Sequence, residues 1–171
     1  MKKHQNEKGF TIIEVVLVLA IAALIFLMVF IALPALQRSQ RDTQRKNDLS
    51  RAVTAVSNYT TNNRGALPAN TNAAWATFLT QNLTPTTSDT FLDPSGAPSG
   101  SAATTYTFLL NTNLASPVVG ANNNFNSTTQ NNIYFSENFQ CATGGAIQAS
   151  SSRSVALRMY LENGGIACQN N

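Results

Sequence analysis

After a short polar stub the chain turns apolar at Phe10 and stays so to Leu36, 27 residues interrupted by a single charge, Glu14. A helix of this length rises about 40 Å, and a bilayer core needs about 20 apolar residues, so the stretch is expected to span a membrane. Pro34 lies late in it. Proline removes the N–H that would bond to Phe30, so a kink or a loosened turn is expected there. Beyond Leu36 the pattern becomes amphipathic. Leu49, Val53 and Val56, with Ala52 beside them and Tyr59 next, follow helical spacing. Arg38, Arg41, Asp42, Arg45, Lys46 and Asp48 supply the polar faces, and their basic members predict a solvated, positively charged side. Asn62-Asn63-Arg64-Gly65, followed by Pro68, stops the helix.

The rest reads as one short helix and a set of strands. Asn72 is expected to cap a helix over Ala73–Asn82, with Trp75, Phe78 and Leu79 turned toward a core. Thr84 to Gly100 is rich in Pro, Ser and Gly and reads as loop. Tyr106–Leu110, Ile133–Phe135 continuing toward Cys141, and Val155–Leu161 are the strand candidates. The last alternates, which puts Val155, Leu157, Met159 and Leu161 on one face, expected to cover the helix. Turn-rich stretches, Ala121–Asn126 and Gly144–Ser152 among them, connect the strands. The fold class that follows is α+β, a long N-terminal helix whose second half packs on a small antiparallel β-sheet head. The division is a stub at 1–9, an apolar helix at 10–36, an amphipathic half-helix at 37–62 and a β-rich head at 63–171.

Composition sharpens this picture. Hydrophobic residues make up 43% of the chain, concentrated between Phe10 and Leu36, while the head is rich in Asn, Thr, Ser and Ala and poor in charge. That mix suits an exposed extracellular surface. The formal charge of +3 comes partly from Lys2, Lys3 and Lys8 set against Glu7; without them Lys+Arg falls from 11 to 8 and Asp+Glu from 8 to 7. The remainder is near neutral, so nucleic-acid binding is not the default reading. A basic stub stays in the cytoplasm and places the C-terminus outside. In an exported domain Cys141 and Cys168 read as one disulfide, worth roughly 3–4 kcal/mol. The only histidine, His4, lies in the stub, and the cysteines lack zinc-site spacing. No phosphate-binding loop, dinucleotide fingerprint or nucleophile elbow occurs, so the reading is a protein without enzymatic machinery or cofactor. Glycosylation-type triplets at Asn58, Asn82 and Asn126 are what so Asn- and Thr-rich a chain produces by chance.

Glu14 then needs a reason. A carboxylate inside a membrane helix costs a few kcal/mol and marks a functional site whose partner should be sought. Lys-Gly-Phe-Thr-Ile-Ile-Glu, ending at Glu14, resembles the processing site of type IV prepilins, including the related pseudopilins. Ala-Val-Ser-Asn-Tyr-Thr-Thr-Asn-Asn-Arg-Gly-Ala-Leu-Pro, ending at Pro68, resembles the helix-to-head junction of the same proteins. The resemblance implies cleavage after Gly9 by a prepilin peptidase, N-methylation of the new terminus at Phe10, and a role for Glu14 in assembly. It also implies a membrane-anchored precursor, self-association into a filament, and partners in a pilus assembly platform and its ATPases. Pairing Glu14 with the Phe10 amine of a neighbour would reduce the cost of burying both charges and set axial register.

A type IV pilus subunit serving adhesion, twitching motility or DNA uptake is the function so implied. The rivals are a pseudopilin of a type II-like secretion system and a membrane-anchored binding protein that never polymerises. Many pilins carry a Gly and a Pro earlier in the helix; here there is no glycine and only the late Pro34. The run from Asp89 to Gly96 loosely resembles the Asp-Pro-x-Gly loop of some pseudopilins, which makes Asp89 and Asp93 calcium candidates. An Asx-Pro turn explains the same residues without a metal.

Overall fold

The structure, a computed structural model, describes residues 9–83, 91–95, 105–110 and 131–171. The stub before Gly9, most of the expected 84–100 loop including Asp89, and the connecting stretch 121–126 lie outside the described residues. The chain divides into two compact units, Met1–Arg38 and Ser39–Asn171. Helix α1, Ile12–Asn62, runs through both and is unbroken at Pro34. Its N-terminal unit is a long, apolar helical stretch of the kind that can cross a membrane.

In the second unit α1 is followed by α2, Asn72–Asn82, and by six strands: β1 Thr107–Leu110, β2 Asn132–Glu137, β3 Phe139–Cys141, β4 Ile147–Ala149, β5 Val155–Tyr160 and β6 Ile166–Asn170. The main sheet has the order β1-β2-β5-β6, and β3 and β4 form a separate antiparallel pair. The α+β layout expected from the sequence is the one observed. One edge departs from it: β1 runs parallel to β2, with Phe108 opposite Ile133. The sheet is therefore mixed, antiparallel at β2–β5 and β5–β6 only.

The alternation of β5 places Val155, Leu157 and Met159 in the core, and Leu161 follows them from the turn beyond. Ile133 and Phe135 of β2 and Phe108 of β1 join them. Trp75 of α2 stacks on Phe135, with centroids 4.3 Å apart, and on Phe108 at 5.7 Å. Its indole N–H donates to Glu137 Oε1 at 3.3 Å, so the ring is buried without orphaning its one donor. Leu49, Ala52 and Val56 of α1 close the core, with Val53 and Tyr59 packed at its margin.

Two local expectations change. Thr71, not Asn72, caps α2, its hydroxyl accepting from the Ala74 N–H at 3.2 Å. Asn72 is the first helical residue, and its Oδ1 instead accepts from the Leu110 N–H at 2.6 Å, tying α2 to β1. The second change concerns the polar side of α1. Asp42, Arg45, Leu49, Ala52 and Val56 follow one another at alternating spacings of three and four residues, so they share one face. Asp42 and Arg45 are buried on it, and Asp48 beside them is buried too. The expected solvated charged side therefore does not include these three. Charge type suggested solvent, but spacing decided burial.

Candidate functional site

Gly9, Phe10 and Thr11 precede the first turn of α1. Among the described residues a Cβ placed on Gly9 would meet nothing within 4 Å. Phe10 is 88% exposed, and the large apolar side chains that follow it to Leu36 are exposed. At the start of a helix the first backbone N–H groups lack intrahelical acceptors. Thr11 and Glu14 answer this reciprocally. The Glu14 N–H donates to Thr11 Oγ1 at 3.4 Å, and the Thr11 N–H donates to Glu14 Oε2 at 2.9 Å. The Thr11 hydroxyl also donates to Oε2, at 3.0 Å. This is a capping box. The sequence reading singled out Glu14 but missed Thr11, although a Thr three residues before a Glu at the head of an apolar run is the motif's signature.

A second constellation lies in the head. Arg45 is fully buried. Its Nε donates to Asp93 Oδ2 at 2.8 Å and its Nη2 to Asp93 Oδ1 at 2.9 Å. Asp42 Oδ1 stands 3.1 Å from Nη1, and Glu162 Oε1 stands 2.9 Å from Nη2. Arg41 adds two donors to Glu162, at 2.8 and 2.6 Å. Asp42 also accepts the backbone N–H of Glu162 at 2.8 Å and of Asn163 at 3.1 Å. The turn between β5 and β6 is thus fastened to α1 through both side chain and backbone.

Burial alone would pull the Arg45 guanidinium down, but its bonds to Asp93 and Glu162 outweigh that and raise it. Burial pushes Asp93 up, and the Arg45 and Ser95 hydrogen bonds reverse the sign, holding it below the usual carboxylate range. Glu162 is lowered, chiefly by Arg41. A neighbouring group behaves differently. Burial raises Asp48 despite hydrogen bonds from Tyr106 and Arg51, and it raises Tyr106 too.

These contacts decide the role of Asp93. Both of its oxygens are engaged by Arg45, and Oδ1 also accepts the Ser95 N–H at 2.8 Å and the Ser95 hydroxyl. That is the Asx turn, and a guanidinium stands where calcium would need open oxygens. No cluster of three or more metal-ligating side chains occurs among the described residues. Asp89, the other candidate, lies outside them. Cys141, at the end of β3, is bonded to Cys168 in β6. Their bond joins the small sheet to the edge of the main one.

Residues 4–30 match the family model described as the prokaryotic N-terminal methylation motif, the signature of type IV pilins and pseudopilins. The match includes Gly9, Phe10, Thr11 and Glu14. No curated protein and no solved structure matches the chain. The motif is one that type IV pilin-like and pseudopilin precursors carry, and the apolar helix that follows fits a membrane anchor.

Proposed function

We propose that the chain is the structural subunit of a type IV pilus. It is made as a single-pass membrane precursor with its C-terminus outside, cut after Gly9 by a prepilin peptidase, N-methylated on Phe10, and polymerised through its N-terminal helix. The observation that carries this reading is the methylation motif at residues 4–30, placed on a helix whose apolar side chains are exposed. Exposed apolar surface on this scale needs lipid before assembly and packed neighbouring helices after it. Since lipid and a helix bundle are equally apolar, transfer between them gains little. A filament built this way can be extended and retracted by a motor in the assembly platform. In a fibre of such helices Glu14 pairs with the Phe10 amine of a neighbour and sets the axial register.

The Cys141–Cys168 bond supports an oxidising, exported location for the head. Adhesion, twitching motility or DNA uptake are the tasks such a filament serves.

Mass spectrometry of the mature protein from its native host tests the reading. An N-methylated Phe10 terminus is expected, and an intact Met1 or Lys2 terminus sinks it. Glu14→Ala is expected to leave cleavage intact and to abolish filaments seen by electron microscopy. Normal filament yield in that variant would remove the register role. Processed wild-type subunits that form no extended filaments would instead favour a pseudopilin.

A further inference from the structure

We propose that Thr11 is the positioning residue of the assembly site: it fixes the Glu14 carboxylate so that one oxygen is held within the subunit and the other faces an incoming amine. This rests on the pilin-type assembly proposed above. Both Thr11 donors, the N–H at 2.9 Å and the hydroxyl at 3.0 Å, converge on the same oxygen, Oε2. Among the described residues no hydrogen bond reaches Oε1. The capping box therefore occupies half of the carboxylate and leaves the other half to accept.

The surroundings say what the open half can take. Phe10, Val15, Val18 and Leu19 line a groove of about 310 Å³ in which Glu14 is the only polar side chain. An apolar groove with a single carboxylate suits a cation carried on an apolar body. The mature Phe10 terminus of a second copy is that combination. A glutamate side chain left free would lose rotamer freedom when it met its partner. Thr11 removes that freedom in advance, so the pairing costs less ordering when it forms. The hydroxyl also supplies a donor to a charge placed in apolar surroundings, where an unbonded carboxylate is most costly. Thr11 thus acts through Glu14 and does not itself meet the neighbour.

Two substitutions in the full-length precursor, expressed in the native host, separate this role from simple helix capping. Thr11→Gly keeps a good cap, since glycine is only a few tenths of a kcal/mol poorer at this position, but removes the hydroxyl donor. Thr11→Ser keeps both. The readouts are the mass of the mature N-terminus and the filament yield per processed subunit. Thr11→Gly is expected to lower that yield about ten-fold, the size of one lost hydrogen bond to a charged group. Thr11→Ser is expected to match the parent. A Thr11→Gly variant that assembles normally overturns the proposal, as does one that is no longer cleaved, which would assign Thr11 to peptidase recognition. Glu14→Ala serves as the control. If it also assembles normally, the assembly reading has failed; if it alone fails to assemble, only the role of Thr11 has.

Discussion

Arg64 closes α1 in a conformation that arginine tolerates poorly. Its φ is 57°, in the left-handed region, and Gly65 follows at 85°. The Gly65 N–H reaches back to Thr60 O at 2.6 Å, which completes the C-terminal cap. The left-handed position just past a helix is where glycine is commonest, and a side chain there costs about 1–2 kcal/mol. Arg64→Gly is expected to raise stability by up to about 1 kcal/mol, once the greater freedom of glycine in the unfolded chain is set against the relief. Urea unfolding of the purified subunit in detergent measures it, and a loss would show that the Arg64 side chain contributes more than its strain. Legibility differs from residue to residue. The stop at Asn62–Gly65 and the oddity of Glu14 were plain in the sequence, because turn residues and a lone charge speak locally. The burial of Arg45 could be read only from its spacing with Leu49, and its distant counter-charges at 93 and 162 could not, because no local rule connects them.

Among the elements, the helices and the β5 pattern were readable, β3 was legible only as a continuation of β2, and β4 and β6 were not. Phe139–Cys141 and Ile147–Ala149 are three residues each, too short to show a period. Ile-Ala-Cys-Gln-Asn of β6 mixes small and polar residues because it lies at the sheet edge, half covered. The parallel edge was hidden too, since its connection runs through 111–130 and strand direction leaves no mark on alternation. The pairing of the cysteines was legible, as was its tie between the strand ending near Cys141 and the chain leaving β5, but not that Cys168 lies in a strand of its own. Asn138, with φ 65°, turns the chain from β2 directly into β3, so the small pair leaves the main sheet, and the disulfide fastens it to β6. Replacing both cysteines by serine is expected to cost about 3–4 kcal/mol. The far-UV circular dichroism should survive, and limited proteolysis should begin within 139–149. Cleavage beginning inside β5 would place the loss in the core instead.

For the molecule as a whole, the distribution of charge matters more than its total. Of the acids in residues 39–171, Asp42, Asp48 and Asp93 are buried, and Glu137 and Glu162 are partly buried and hydrogen-bonded; Asp89 lies outside the described residues. Acid should therefore act on the interior. Asp93 and Glu162 are depressed in the folded state, so their stabilisation is present above the unfolded carboxylate range of about 4 and is lost as pH falls through their lower folded values. Asp48 and Glu137, raised chiefly by burial, work in the opposite sense and blunt the slope. Asp93→Asn is expected to be less stable at neutral pH and to lose less on acidification. Denaturant unfolding at pH 7, 4 and 2.5 measures both, and an unchanged slope would remove Asp93 from the acid response. The Arg45 cluster also has a consequence in time. Arg45 leaves the ribosome well before Glu162. Until the β5–β6 hairpin has been made, the helix carries a cation without its full set of counter-charges. The unit should therefore fold only once that hairpin is present, and a chain stalled short of Glu162 should be met by proteases and chaperones.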